Sequence, residues 1–538
     1  MFSSPALRSL FLLLLALALA TPVLVVAGSW LAGASPNWGH LSSTVLPSYL
    51  RHSLFLALFT GTGTLLIGVA AAWAVSRFRF PGRRVLEWAL LLPLACPAYL
   101  IAYTWTGMLA SEGALQQALP LPLPDIRSPA GAGLMLTLVL YPYVYLMTRA
   151  AFVSQSAVAL EVARTLGAGP WRRFFRVALP LARPAIIAGL ALVLMETLAD
   201  YGTVAYFGVP TLSTGIYRTW FGLGDAMAAA QLAGVLLLAM VVLLTLERRA
   251  RKERRISVAS ARAAAPLPLG RGPGLLLAAA LWLPVLLGFI LPALQLLVWS
   301  LPRWRDLAEP GFLGLLGTSL LIALCTALAA TGLGLLLIWA RRLRRDRPRR
   351  LAAGLAGFGY AVPGTVLAVG VVLVLASLDR GLNNLLASVG LPEPGLLFSG
   401  TLFAVVFACT VRFLTIPIQG LDAGLQNLSP NLDNAARSLG TASLPMLRRV
   451  HLPLLRVPLA TSALLVFVDT LKELPAALVL RPFNTNTLAV RAFELASDER
   501  LADAALPALT ILLAGVAPVI LLTRSIRNPH QESPHADH

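Results

Sequence analysis

The 538-residue chain is 57% hydrophobic and 12% charged, with a mean hydropathy of +0.77. Soluble domains carry about 25% charged residues, so a soluble globular enzyme and a disordered chain are both excluded and a membrane protein remains. The formal charge of +19 does not point to nucleic acid: the basic residues fall in short runs between apolar stretches, the pattern that orients helices in a bilayer.

A spanning helix needs about 20 apolar residues. Such runs lie near 9–28, 53–76, 86–109, 131–152, 185–207, 228–246, 274–299, 317–340, 352–377, 397–418, 458–480 and 503–523, which predicts about twelve transmembrane helices in an all-α polytopic protein. The first run, between Arg8 and the Ala-Gly-Ala-Ser at 32–35, has the outline of a signal peptide. Its length and a matching internal segment at 274–299 favour a retained helix. Of the 43 Lys and Arg residues, 33 fall in the N-terminus, in loops 77–84, 149–183, 248–271, 341–350 and 412–456, and in the tail; nine fall in the alternate loops. That asymmetry places both termini in the cytoplasm.

The chain is internally duplicated. Ser53-Leu54, Trp73-Ala74 and Pro97 recur 266 residues later as Ser319-Leu320, Trp339-Ala340 and Pro363. Thr165-Leu166-Gly167, Leu179-Pro180 and Glu196-Thr197-Leu198 recur 273 later as Ser438-Leu439-Gly440, Leu452-Pro453 and Asp469-Thr470-Leu471. Six spans per half give parallel repeats, not inverted ones. The predicted organisation is a first half at 1–246, a cytoplasmic linker at 247–272, a second half at 273–524 and a disordered tail at 525–538. The tail's His530, His535 and His538 belong to that disordered segment rather than to a metal site.

Nothing reads as a catalytic centre. Cys96, Cys325 and Cys409 sit singly in apolar runs, as core side chains do. The lysines are Lys252 and Lys472, neither after a glycine, so no GxxxxGK[ST] phosphate loop exists and the chain binds no ATP by that route. HExxH and GxSxG are also lacking.

The long basic loops 149–184 and 412–457 carry the clearest pattern. Glu161-Val162-Ala163 is followed by Gly167, Val177, Leu179 and Pro180; Asn434-Ala435-Ala436 is followed by Gly440, Val450, Leu452 and Pro453 at the same offsets. Each reads as a short amphipathic helix ended by a C-capping glycine. A basic helix follows, stopped by a proline before the membrane. The small residues, Ala163 with Gly167 and Ala436 with Gly440, would let a partner come close. A second cluster lies in the following spans: Glu196 and Asp200, then Asp469 and Glu473, each pair at i and i+4 on one helix face, with Lys472 between the latter two. Ionisable groups at membrane depth are costly and point to a translocation path, or to a structural cluster in which Lys472 neutralises a carboxylate.

The loop spacing resembles the EAA loop of binding-protein-dependent ABC importer permeases, whose consensus is EAA, three residues, G, nine residues, I-x-LP. Asn434 departs from it where a glutamate is expected. The resemblance implies that the loops are coupling helices docking two copies of an ABC ATPase subunit, which carries the ATP, and that a periplasmic or lipid-anchored binding protein delivers substrate. The stretches Glu196–Thr203 with Tyr206–Pro210, and Asp469–Pro475 with Leu480–Asn484 and Glu494–Glu499, are similar to the two halves of fused ferric-iron importer permeases. That similarity implies Fe3+ as substrate, a path along Glu196, Asp200, Tyr201, Asp469, Lys472 and Glu473, with Tyr206 near it, and residence in the bacterial inner membrane. Hard ferric iron suits carboxylate and phenolate oxygens. Thiamine, polyamine and phosphonate permeases are related alternatives, and an ion-coupled secondary transporter is the alternative from another class.

Overall fold

The computed structural model describes residues 5–118, 125–155, 157–252, 266–344, 346–357, 359–426 and 428–527. The tail past 527 and most of the linker, 253–265, lie outside the described residues. Apart from one two-residue parallel pairing, Phe78–Arg79 with Leu267–Pro268, the described elements are helical. The main helices are α1 Pro5–Gly28, α2 Leu46–Arg77, α3 Ala98–Leu109, α4 Pro129–Ser154, α5 Ala157–Thr165, α6 Leu179–Ala199, α7 Ala226–Lys252, α8 Arg271–Val285, α9 Pro310–Leu343, α10 Gly364–Ser388, α11 Leu402–Phe413, α12 Thr415–Gln426, α13 Pro430–Ser438, α14 Leu452–Leu471 and α15 Leu501–Arg527.

Among the described residues, 10 helices are long and apolar enough to cross a membrane, or 12 if each of two bent pairs is one span. The bends have local causes. Arg83–Ala95 meets α3 at 92°, where Pro97 holds Cys96 in extended backbone. The duplicated Pro363 makes the same break before α10, so the predicted span 352–377 is divided and the membrane helix runs Gly364–Ser388 instead. Helices α11 and α12 meet at 43°; Pro417 has no N–H for the Phe413 carbonyl.

The chain forms two compact units, and neither is a sequence half. One comprises Met1–Pro36, Thr219–Leu237 and Asp306–Arg491; the other comprises Asn37–Arg218, Leu238–Arg305 and Ala492–His538. In the first unit α9 packs on α14, α12 and α11, while α1 lies along Arg347–Ala356 and α10. The approach of α1 to α10 requires a glycine, because a Cβ at Gly370 would stand 2.2 Å from the Pro22 carbonyl oxygen. Beyond α1, the Gln231 side chain of α7 accepts from the Ser35 N–H at 3.2 Å and donates to the Gly33 carbonyl at 2.7 Å. In the second unit α4 packs between α2 and α6, and α15 lies on Leu92–Ala95 and Leu291–Ser300.

The duplication reaches individual bonds. In the second unit Ser53 Oγ accepts from the Leu212 N–H at 3.1 Å. In the first, Ser319 Oγ accepts from the Leu488 N–H at 2.8 Å. Each serine thus satisfies the first amide of a helix, Leu212–Gly222 or Leu488–Ser497, which would otherwise be orphaned. The repeated Ser-Leu is this tie.

Candidate functional site

The two loops end their helices in the same way. Gly167 has φ +79° and Gly440 φ +72°. The Gly167 and Ala168 N–H groups donate to the Arg164 and Ala163 carbonyls at 3.0 and 2.9 Å. Those of Gly440 and Thr441 donate to Arg437 and Ala436 at 2.9 and 3.0 Å. Both are Schellman motifs, which need a left-handed residue after the helix. Leu166 and Leu439, just before the glycines, are 79% and 84% exposed. Glu161 and Asn434 are exposed too, with Glu161 in electrostatic reach of Arg77. Ala436 is buried, so its small side chain faces the protein's own body rather than an incoming partner.

Pro180 and Pro453 do not stop the basic helices that follow. Pro170–Ala199 and Ser443–Leu471 each run on as one long helix, with a π-turn at Phe174–Ala178 and Leu447–His451. The Leu179 N–H reaches back five residues to the Phe174 carbonyl, and the Leu452 N–H to that of Leu447. This widened turn sits next to a residue that cannot donate, and the helix passes the proline unbroken. In the second unit the turn is rooted in aromatics: Trp73 packs on Phe152 at 5.2 Å and on Phe174 at 5.0 Å between ring centroids.

The second loop is held by charge. Asp433, 7% exposed, accepts from Arg342 Nε at 2.8 Å and Nη2 at 3.3 Å, and pairs with His451 Nε2 at 2.9 Å. Burial alone would raise the Asp433 carboxyl. The hydrogen bonds and charges of Arg342 and His451 outweigh it and hold the group below its ordinary value. Asp433 is thus committed within the fold and does not replace the missing glutamate at Asn434.

The carboxylate cluster differs from its sequence reading. Helix α6 ends at Ala199, and Asp200 is extended at φ −61°, ψ 132°, so Glu196 and Asp200 do not share one helix face. Asp200 caps the next short helix, Gly202–Tyr206, accepting from Thr203 Oγ1 at 3.0 Å and the Val204 N–H at 3.1 Å. Glu473, its equivalent, follows the end of α14 and caps Pro475–Leu480, accepting from the Ala476 N–H at 3.1 Å. Lys472 pairs with Asp469 at 3.1 Å. Glu473 pairs instead with Arg412 at 2.8 Å, both side chains nearly buried. Arg412, counted above as a loop cation, sits at the end of α11 within a bent span. Tyr201 is buried against Tyr217 and Phe493, with centroids at 5.1 and 6.0 Å, and the Arg127 guanidinium lies 5.6 Å over the Tyr206 ring. Among the described residues no three His, Cys, Asp or Glu side chains are grouped to hold a metal ion. Sequence reasoning missed Arg342, His451 and Arg412, whose only signal was a basic or imidazole side chain beside an apolar run.

The described residues thus form an internally duplicated helical membrane protein with two glycine-capped loops at equivalent places. Residues 1–256 and 330–528 match the model of the binding-protein-dependent transport system inner membrane component family, to which the chain belongs. It is 25% identical over 525 residues to the Fe(3+)-transport system permease protein FbpB 2 of Haemophilus influenzae, covering 96% of this chain and 97% of that one. It is 28% identical over 518 residues to the thiamine transport system permease protein ThiP of Salmonella typhimurium, 90% of each. It is 31% identical over 228 residues to the molybdenum transport system permease protein ModB of Escherichia coli, 41% of this chain and 96% of that one.

Proposed function

We propose that this permease imports ferric iron across the inner membrane, driven by two copies of an ABC ATPase subunit docked on the α5 and α13 loops. The docking reading is carried by the recurrence, in both repeats, of a Schellman-capped helix with an exposed leucine at its end. The iron reading is supported by similarity to an Fe(3+)-transport permease along nearly the whole length of both chains. Both termini face the cytoplasm, a binding protein delivers substrate on the other side, and ATP stays on the partner subunits. The chain itself catalyses no reaction and holds no cofactor; iron is cargo. Membrane lipid surrounds it, and nucleic acid is no partner.

Closure of the ATPase subunits would move the coupling helices and rock the halves between inward and outward access. Glu196, Asp200, Tyr201, Asp469, Lys472 and Glu473 stand at or just past the ends of α6 and α14, and we assign the path to these ends. The similarity to a thiamine permease over 90% of each chain supports a second reading with thiamine as cargo. Uptake of labelled ferric iron, thiamine and a polyamine in cells lacking this chain, with and without its restoration, separates them. Iron uptake restored alone upholds the proposal, and restoration of thiamine alone replaces it.

A further inference from the structure

We propose that Arg342, Asp433 and His451 are the positioning residues of the second coupling loop, carrying displacements of α13 into α9 and α14. The inference rests on the reading that α13 docks an ATPase subunit. One buried carboxylate on α13 holds the guanidinium at the end of α9 through two hydrogen bonds. It also holds the imidazole of the π-turn leading into α14. The same guanidinium donates to the Leu425, Leu428 and Ser429 carbonyls, gathering in the connector between α12 and α13. Charge-assisted forked bonds are short and directional, so a small shift of α13 breaks them unless α9 and α14 follow. The outer face of α13 keeps Asn434, Arg437 and Leu439 exposed for a partner.

The first repeat does this work with other residues. The positions equivalent to Arg342, Asp433 and His451 hold Ser76, Leu160 and Ala178, and the π-turn is gripped by Trp73, Phe152 and Phe174. In the second repeat Trp339 stands where Trp73 does, but Leu425 and Leu447 stand where Phe152 and Phe174 stand in the first, so the two phenylalanines of the clamp have no counterpart and the triad takes their place.

The test uses the complete transporter, this chain with its ATPase and binding protein in proteoliposomes, supplied with whichever of labelled ferric iron or thiamine the unmodified chain imports. Two variants are compared: Asp433→Asn, and the triple Arg342→Ser, Asp433→Leu, His451→Ala, which installs the first repeat's residues. Asp433→Asn leaves Arg342 and His451 without their carboxylate, whereas the triple variant removes all three charges together and strands none. The triple variant therefore separates positioning from stability. Both variants should retain the ATPase and hydrolyse ATP, with import per ATP reduced at least about fivefold; the triple variant should lose less thermal stability than Asp433→Asn. Unmodified import per ATP in the triple variant, or parallel loss of import and hydrolysis in both, overturns the proposal. An unmodified chain that retains no ATPase removes the docking reading and this inference with it, and is recognised because no substitution is needed.

Discussion

Gly440 and Gly167 end the two loop helices in left-handed backbone. At both positions a Cβ would meet nothing within 4 Å, yet φ is +72° and +79°, so a substitution strains the backbone without a clash inside the chain. An L-residue in the left-handed region costs roughly 1–2 kcal/mol. At 1.4 kcal/mol per tenfold, Gly440→Ala should lower the equilibrium constant for the capped loop by roughly five- to thirtyfold. Asparagine visits that region more readily, and a β-branched side chain is the least tolerated there. Import should therefore fall in the order Asn, Ala, Val while the amount of inserted protein stays constant. The assay is uptake by cells expressing each variant, normalised to membrane-inserted chain, alongside co-purification of the ATPase. Equal losses for Asn, Ala and Val would refute the strain argument and leave steric exclusion of a partner as the cause. Unchanged uptake for all three would show that the capped geometry carries no coupling.

Removing the carboxylate from Arg412 by Glu473→Gln should destabilise the protein by about 3–5 kcal/mol, while pairing it with Arg412→Met should recover most of the loss; thermal unfolding in detergent reads both. Ser53→Ala and Ser319→Ala should each cost about 1 kcal/mol, the worth of a helix-capping hydroxyl, and a clear inequality between them would contradict the equivalence of the two ties. Because the folded-state value of Asp433 lies below its ordinary 3.8, its contribution is fully present above that value and is lost as pH falls through the lowered one. Stability curves of the unmodified chain and Asp433→Asn should therefore be furthest apart above pH 3.8 and draw together as pH falls below it.

The spans and the duplication were legible because each rests on a signal longer than its noise: runs of about 20 apolar residues, and pairs such as Ser53 and Ser319 at one fixed shift. The glycine caps were legible because Gly167 and Gly440 stand at the same offset after equivalent helices. What escaped depends on contacts between distant positions. Arg342 and Asp433 are 91 residues apart, and no spacing announces such a pair. Arg412 reads as the start of a basic loop until α11 is seen to bend into α12. The i, i+4 reading of Glu196 and Asp200 assumed one continuous helix, but an acidic side chain also accepts amides at the start of the next helix, and Asp200 and Glu473 both do so. The rule that proline ends a helix failed at Pro180 and Pro453, because a π-turn before each removes the need for the missing donor.

The same distinction between sequence halves and packed units gives the fusion of the halves a physical meaning. Helix α1 is encoded with the first half but packs on α10 and Arg347–Ala356 of the second, with the Pro22 carbonyl pressed against Gly370. Reciprocally, α8 packs on Arg83–Ala89 and α15 on Leu92–Ala95, both of the first half. Each unit therefore draws helices from both halves. The match to the molybdenum permease covers 96% of that chain and 41% of this one. Joining the halves turns the exchange of helices into an intramolecular event at an effective concentration in the millimolar range. It also lets the two glycine-capped loops diverge within one chain, one gripped by Trp73 and its phenylalanines and the other by Asp433, because each copy always meets the same complementary half.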